Sequence, residues 1–311
     1  MQSSPQFRGR GPLRLKLPQW EQTMLLRGRR QDRSCLVDPI LNEHCVDTAP
    51  AAPSAEPEAL PESPLRLLSF NIQVGISTGA FREYLTNGWK HVLPHENRLK
   101  NLRSVSDVVQ HYDVVALQEV DGGSLRSGFI NQVEYLAESA EFPYWYAQTN
   151  RDLGPLAQHG NGLLTRIKPH ALEDHKLPGA IPGRGAVFVR VPYAGDELVI
   201  VMLHLSLGER SRQKQLAYVA EQVAHERQVV VMGDLNMPLS KLLCESPLKN
   251  LNLRPAQHAQ PTYPAWEPSK TLDHVLVSSE LQVTQAQVLD DHISDHLPVA
   301  VEVTAKRPSL Q

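Results

Sequence analysis

Short apolar runs that end in polar residues recur along the chain from residue 65 onward. The runs at residues 65–70, 114–117, 198–203 and 229–232 are four to six residues long and rich in Val, Leu and Ile. Such near-continuous runs are typical of strands that are buried on both faces. Two further runs, at residues 275–277 and 299–303, come shortly after polar groups. The pattern predicts a sheet-rich core whose strand ends carry polar side chains.

Apolar residues at helical spacing separate several of these runs. Two sets recur every three to four residues, the first being Leu99, Leu102, Val105 and Val109 and the second Leu216, Val219 and Val223. Residues 131–140 favour a further helix, and the aromatic cluster at residues 142–146 favours core packing. Two strand-helix-strand halves predict one α/β domain over residues 64–304, with a short tail at 305–311.

The first 63 residues differ in composition from the domain. They are rich in Pro, Arg, Gln and Ser and then in Ala, Pro and Glu, which predicts a mostly disordered N-terminal extension, although residues 34–41 are apolar enough to dock on the domain. Residues 1–34 carry eight Lys/Arg against two Asp/Glu, whereas residues 64–311 carry 23 against 26. The domain therefore lacks the broad positive field that favours binding to duplex DNA.

The pattern holds no run of about 18 apolar residues, so it predicts neither a transmembrane segment nor an ordinary signal peptide. The three cysteines, Cys35, Cys45 and Cys244, lack metal-ligand spacing. They fit a reducing compartment better than a disulfide framework, although Cys35 and Cys45 could pair in an exported form. We therefore expect a cytoplasmic protein.

Residues 229–236 place an acid and a carboxamide at the end of a buried strand. Asp234 and Asn236 are two residues apart there, so they can point to the same side and hold one water molecule or one phosphate oxygen. Gly-Asp-Leu-Asn is also good turn chemistry, and taken singly Asp273 and His296 also fit structural roles. Glu119 is harder to explain structurally, because a carboxylate buried unpaired after an apolar strand is costly and a metal ion would remove that cost.

Seven short motifs follow one another in a recognisable order. They are Ser-Phe-Asn at 69–71, Leu-Gln-Glu at 117–119, His-Gly-Asn-Gly at 159–162, His-Leu at 204–205, Gly-Asp-Leu-Asn at 233–236, Leu-Asp-His at 272–274 and Ser-Asp-His-Leu-Pro at 294–298. Together they resemble the endonuclease/exonuclease/phosphatase superfamily, and within it a bacterial subgroup of metal-dependent hydrolases. The resemblance implies a four-layer α/β/β/α sandwich of two packed mixed sheets flanked by helices. It also implies hydrolysis of a phosphoester with Mg²⁺ or Mn²⁺.

The resemblance also implies roles for individual residues. Asp234 would be the general base and Asn236 would orient the water or the phosphate, while His204 would contact the phosphate or the leaving group. His296, held by Asp273, would stabilise charge on the phosphoryl oxygens. The metal ligands would be Glu119, Asn71 and Asp295. The phosphate or substrate would be bound by Asn161, Arg166 and Arg212. The chain departs from many members at Gln73, where an acid is common, and at Gly162, where alanine is common.

The substrate is the least constrained part of this interpretation. The slightly acidic domain and an apolar loop at residues 177–185, with Trp266, favour a lipid or small organic phosphoester and leave peripheral membrane contact open. A DNA endonuclease or exonuclease is an alternative, although nucleic acid is not favoured because basic grip loops are lacking. A non-catalytic binding protein on the same fold is the third hypothesis.

Overall fold

A computed structural model of the chain describes residues 35–37, 63–75, 97–179, 183–257 and 260–306. Its strands, in chain order, are β1 (Cys35–Val37), β2 (Leu65–Asn71), β3 (Val114–Asp121), β4 (Tyr144–Asp152), β5 (Gln158–Thr165), β6 (Ala171–Lys176), β7 (Gly185–Tyr193), β8 (Asp196–His204), β9 (Gln228–Asp234), β10 (Leu253–Pro255), β11 (Asp273–Ser278), β12 (Leu281–Val288) and β13 (Val299–Ala305). The α-helices are α1 (Asn97–Val109), α2 (Gln132–Ser139), α3 (Glu209–Val223) and α4 (Leu239–Cys244). Short 3-10 turns lie at Gln73–Gly75, Leu125–Ser127 and Pro247–Asn250.

The strands form two mixed sheets. The larger sheet has seven strands in the order β1-β6-β7-β8-β9-β11-β10, and the smaller has six in the order β12-β13-β2-β3-β5-β4. Each sheet contains one parallel pair, β8 with β9 and β2 with β3, and the other pairs are antiparallel. In each parallel pair a helix lies between the two strands along the chain, as the apolar pattern predicted.

Three apolar layers hold the sheets and helices together. Inward-facing residues such as Leu67, Val189 and Met232 pack between the two sheets. Helix α3 packs on the outer face of the larger sheet, and helices α1 and α2 pack on the outer face of the smaller one. Because both faces of the central strands are covered, those strands are apolar at nearly every position. The molecule is thus the four-layer sandwich that was expected.

The predicted helices form with one error in the assigned face. Leu102, Val105 and Val109 are fully buried on α1, but Leu99 lies on the solvent side with 43% of its surface exposed. The predicted face of α3 is confirmed, since all three of its assigned residues are buried. Phe142 is buried in the outer layer of the smaller sheet, where Trp145 packs beside it, while Tyr146 packs against the layer between the sheets, so the aromatic cluster packs in the core as expected.

Several predictions fall partly or wholly outside the described residues. Most of the extension at 1–63, the tail from 307 and the centre of the apolar loop at 177–185 lie there. Within the predicted extension, the backbone of β1 pairs antiparallel with β6 and adds one strand to the larger sheet. Across the part of the chain that is described, no helix is both long and apolar enough to cross a membrane.

Candidate active site

Three neighbouring strands of the larger sheet bring His204, Asp234 and Asp273 side by side. His204 pairs with Asp234 across β8 and β9, and Asp234 pairs with Asp273 across β9 and β11. Gly233 makes this close approach possible: it has a φ of 144°, and a Cβ there would lie 1.9 Å from the carbonyl oxygen of Leu203. A side chain is therefore excluded one residue before Asp234.

The smaller sheet contributes Asn71 and Glu119 from its parallel pair. Asn71 ends β2 opposite Gln118, so Glu119 follows directly at the same sheet edge. Glu119 sits in a β-bulge, where the register shifts between Gln118 and Val120, and its φ is 55°. Asn236 has a φ of 51°. Left-handed backbone is uncommon for residues other than glycine and clusters at functional sites, where bulges aim side chains.

Asp234 is the centre of the polar contacts. Its Oδ2 lies 3.3 Å from Nδ2 of Asn71, 3.4 Å from Nε2 of His204 and 3.9 Å from Nε2 of His296. Its Oδ1 accepts a hydrogen bond of 2.9 Å from the backbone N–H of Asn236. The amide of Asn236 donates in turn to the carbonyl oxygen of Leu205 at 2.9 Å. Asp234 is thus held by groups from both sheets.

His296 is held by a buried hydrogen-bond chain. Its Nδ1 lies 2.8 Å from Oδ2 of Asp273, and the same oxygen accepts a hydrogen bond of 2.6 Å from Oγ1 of Thr262. The ring of Tyr263 lies 4.8 Å from the imidazole ring, measured between centroids. The Asp273 contact makes Nδ1 the fixed nitrogen and directs Nε2 toward Asp234. Thr262 and Tyr263 were not singled out by the sequence reasoning.

Two carboxylates of the site, Asp234 and Asp295, have raised pKa values. Burial, then the nearby carboxylate of Asp273, raises the pKa of Asp234 to about 7, although His296 opposes the shift. Burial raises the pKa of Asp295 to about 6, and Glu119 adds to that effect. Glu119 also contributes to the raised pKa of Asp234. Several acids therefore crowd one region, which is where a cation would be most stabilising.

The two histidines respond in opposite directions. Burial alone would lower the pKa of His296, but Asp273, Asp234 and Asp295 outweigh it and raise the pKa to about 10. Burial lowers the pKa of His204 well below its usual range, and the cation of Arg184 adds to this. At neutral pH His296 is therefore charged and His204 is neutral. The site offers one fixed positive group and one neutral imidazole.

Two sets of groups could hold a divalent cation. Ligand atoms of Asp234, Asp273 and His296 lie within 4.8 Å of one another. In that set, however, Nδ1 of His296 is already bonded to Asp273. Glu119 and Asp295 offer oxygen ligands, which Mg²⁺ prefers, and they already influence each other electrostatically. The donor set as a whole fits a hard divalent cation.

The three residues predicted to bind phosphate lie in different parts of the structure. The structure does not bring Arg166 to the site: its guanidinium stacks 4.4 Å over Phe142 and donates to four carbonyl oxygens, those of Gln110, Tyr112, Ala140 and Glu141. Those carbonyls follow the C-terminal ends of α1 and α2. They lie near the start of β3, whereas Glu119 lies near its other end, so the prediction for Arg166 is wrong. A pattern of residue types could not reveal this, because backbone carbonyls satisfy the side chain.

Asn161 and Arg212 lie nearer the site. Other contacts already use the amide of Asn161, whereas Arg212 uses only one nitrogen of its guanidinium and its Nε is buried without a partner among the described residues. The buried amide of Asn161 donates to Oε1 of Gln148 at 2.8 Å and to the carbonyl oxygen of Gly185 at 3.3 Å. Nη1 of Arg212 donates to the carbonyl oxygens of Ser206 and Leu207, shortly after His204. Direct phosphate binding by either residue stays a prediction. Glycine at position 162 also has a packing reason, since a Cβ would lie 2.6 Å from Cγ2 of Val133.

Sequence reasoning missed Arg184. It directly precedes β7, and Ala186 pairs with Leu203, so Arg184 lies at the sheet edge that carries His204. Its side chain is partly buried, and its charge interacts with Glu119 and Asp234. The only sequence signal was an arginine between two glycines ahead of an apolar strand. That signal is indistinguishable from an ordinary loop.

Comparison with known proteins identifies the family. The family model described as the Endonuclease/Exonuclease/phosphatase family matches residues 68–296, which is most of the chain and includes every catalytic and metal-binding residue predicted above. The chain belongs to this family.

Individual relatives are more distant. The uncharacterized protein YbhP of Escherichia coli K12 is 28% identical over 212 residues, which cover 61% of this chain and 83% of that protein. Mannosyl-6-phosphatase Bt3783 of Bacteroides thetaiotaomicron aligns with a TM-score of 0.58 at 16% identity and covers 77% of this chain and 99% of its own. D. rerio TDP2 complexed with single strand DNA product has a TM-score of 0.58 at 17% identity and covers 78% and 100%. These two structures show that the fold is shared.

Proposed function

We propose that the protein is a Mg²⁺-dependent phosphoester hydrolase, a phosphodiesterase or phosphatase, that acts on a lipid or small organic phosphoester. The observation that carries the proposal is the position of Asp234. This buried carboxylate lies 3.9 Å from the His296 ring of a hydrogen-bonded histidine–aspartate pair, and it interacts electrostatically with Glu119, which in turn interacts with Asp295. A structural ion pair would not need further acids, the partly buried Glu119 and the buried Asp295, beside it.

Glu119 and Asp295, with Oδ1 of Asn71, are the groups that would hold Mg²⁺ or Mn²⁺. When bound, the cation polarises a phosphoryl oxygen and neutralises charge that develops there. Oδ1 of Asn71 already accepts a hydrogen bond of 3.1 Å from the backbone N–H of Gln73, which fixes the amide and leaves one lone pair. The glutamine at position 73 therefore supports the site through its backbone.

Asp234 would accept the proton of the attacking water. A pKa near 7 places this carboxylate close to the working pH, where a general base is most effective. Asn236 would help to position the water, because its Nδ2 is bound to Leu205 and its Oδ1 has no hydrogen-bond partner among the described residues. His296 would donate from Nε2 to a phosphoryl oxygen, since Asp273 and the other acids keep it charged. His204, which is neutral, would contact the phosphate or the leaving group.

The substrate class is supported by charge and by one apolar side chain. The domain carries 23 Lys/Arg against 26 Asp/Glu over residues 64–311, which disfavours a duplex-DNA substrate held by its backbone. Leu207 lies three residues beyond His204 and is 77% exposed, so an apolar group is available near the site to contact a lipid or another apolar substituent. A nuclease activity and a cytoplasmic location both stay predictions.

The test is hydrolysis of bis(p-nitrophenyl) phosphate and p-nitrophenyl phosphate with Mg²⁺, Mn²⁺ or EDTA. We expect the wild type to show turnover that EDTA abolishes. The E119A variant should reach comparable turnover only at a much higher Mg²⁺ concentration. The D290N variant is the matched control, because the Asp290 side chain is 94% exposed on the surface. A panel of phospholipids, nucleotides and nicked or abasic DNA then separates the substrate classes.

If the purified protein hydrolyses none of these phosphoesters and shows no Mg²⁺-linked thermal shift, the hydrolase proposal fails and a binding role on the same fold is the better explanation. Cleavage of DNA without cleavage of phospholipids or small phosphoesters would replace the lipid or small-phosphoester substrate by a nuclease substrate.

A further inference from the structure

Arg184 lies on a rigid part of the larger sheet. Its carbonyl oxygen accepts a hydrogen bond of 3.0 Å from the backbone N–H of Leu177. The next carbonyl oxygens along the chain, at Gly185 and Ala186, accept side-chain amide donors from Asn161 at 3.3 Å and Gln148 at 3.1 Å. The backbone that carries Arg184 is therefore fixed from two directions.

Close packing explains the glycine that follows. A Cβ at Gly185 would lie 2.1 Å from Oδ1 of Asn150 and 2.6 Å from the amide of Gln148. This polar cluster joins β4, β5 and the start of β7, and Gln148 donates further to Asp174 on β6 at 2.6 Å. The cluster connects the two sheets at Gly185 and Ala186, the two residues that follow Arg184. Asn161 thus acts here as a support for the strand end.

The charge of Arg184 acts on acids of the site, but the guanidinium pairs with none of them. Its charge interacts with Glu119 and Asp234. It forms no hydrogen bond and no ion pair within 4 Å with any residue that the structure describes. By contrast, Arg190 binds three glutamates, and Arg166 donates to four carbonyls. A partly buried guanidinium normally has partners for its five N–H donors.

A phosphoryl group would supply the missing partner. Its non-bridging oxygens match the planar fork of a guanidinium, which binds phosphate in a bidentate manner. The same sheet edge carries His204, which lies on β8 one residue after Leu203, the partner of Ala186 on β7, and then Asp234 on β9. A phosphate attacked by a water held at Asp234 would lie within the region that Arg184 faces.

We propose that Arg184 binds the phosphoryl group of the substrate, so that it is a substrate-binding and specificity-determining residue of this site. This inference rests on the proposed hydrolase function and adds a protein cation to it. Its expected consequence is a preference for substrates that keep two non-bridging oxygens free to accept both arms of the fork.

The test measures inorganic phosphate binding by calorimetry in Mg²⁺-containing buffer, separately from turnover. We compare the wild type with R184A, R184K and the control R151A. Arg151 is exposed and lies beside Gly183, so its removal takes one nearby positive charge without touching the site. We expect R184A to weaken phosphate binding at least 30-fold, R184K to weaken it several-fold, and R151A to leave it within twofold.

Thermal unfolding of each metal-free variant checks the fold, and R184K, which keeps the charge, covers the case in which R184A unfolds. Phosphate binding that is unchanged in R184A, equally weakened in R151A or undetectable in the wild type overturns the inference. Phosphate binding that depends on Arg184 in a protein without turnover upholds it while the hydrolase proposal fails. With turnover present, we expect R184A to lower kcat/KM for bis(p-nitrophenyl) phosphate at least 100-fold.

Discussion

Asp121 ends β3 two residues after Glu119, and its carboxylate organises the loop that follows. It accepts hydrogen bonds from the backbone N–H groups of Gly123 and Ser124 at 3.0 and 2.7 Å and from the hydroxyls of Ser124 and Ser127 at 2.7 and 2.9 Å. Burial would raise the pKa of Asp121, but these donors outweigh burial and lower the pKa to about 2.

The shift implies a pH-dependent contribution to stability. A carboxyl whose pKa is near 3.8 in the unfolded chain and about 2 in the folded protein stabilises the fold by about 2 kcal/mol at pH 7. Because the folded pKa is the lower one, this contribution is complete above pH 3.8 and is lost as the pH falls toward 2. About half of it remains at pH 3.

Urea unfolding of the wild type and D121N at pH 7 and pH 3 tests this. We expect D121N to be less stable by about 2 kcal/mol or more at pH 7, and the difference to shrink by about 1 kcal/mol at pH 3. The exposed control D290N should differ from the wild type by less than about 0.5 kcal/mol at either pH. A D121N difference that is negligible at pH 7, or equal at both pH values, would refute the reasoning.

Three further predictions concern the site. G233A should lower the free energy of unfolding by at least about 3 kcal/mol, because its Cβ would lie 1.9 Å from a backbone oxygen. G208A should change the free energy of unfolding little, because a Cβ there meets no atom within 4 Å. Equal melting temperatures of G233A and G208A would contradict this. T262V should lower kcat by about tenfold, because it loses the 2.6 Å hydrogen bond to Asp273. T262S keeps the hydroxyl and should retain most of the wild-type kcat. A T262S variant as slow as T262V would show that this hydrogen bond does not support turnover. The value of kcat/KM should rise with pH as Asp234 ionises, with its midpoint at or below pH 7 because a bound cation lowers the pKa; a rate that falls over this range would exclude Asp234 as the base.

The central strands and their polar ends could be predicted from sequence because burial on both faces leaves a simple signature. Positions 229–232 are apolar without interruption, and the polar residues Asp234 and Asn236 follow immediately. Edge strands lack this signature. In β12 only Leu281 is fully buried and the remaining positions are partly buried or exposed, so no apolar run marks the strand. Leu99 was misplaced because helical spacing alone does not locate the edge of the buried face.

The arginines show what local patterns could not resolve. Arg166 and Arg184 both lie next to apolar strands. Arg166 donates its hydrogen bonds to backbone carbonyls, whereas the charge of Arg184 interacts with acids of the site. The difference arises from sheet order: β7 lies beside β8 and therefore beside His204, while Arg166 follows the end of β5 that lies away from Glu119. Such neighbours are distant along the chain and leave no periodic signal. The hydrogen bond from Thr262 to Asp273, which spans 11 residues, was missed for the same reason.

The most direct test of the account is the Mg²⁺-dependent rate of bis(p-nitrophenyl) phosphate hydrolysis by the wild type and by D234A at pH 8. Both proteins are first shown to unfold cooperatively, and D290N serves as the carboxylate control. We expect D234A to lose at least about three orders of magnitude in kcat/KM, because it lacks the base at the centre of the site, while D290N retains wild-type activity. A D234A variant that stays within tenfold of the wild type would contradict the assignment of Asp234 as the general base.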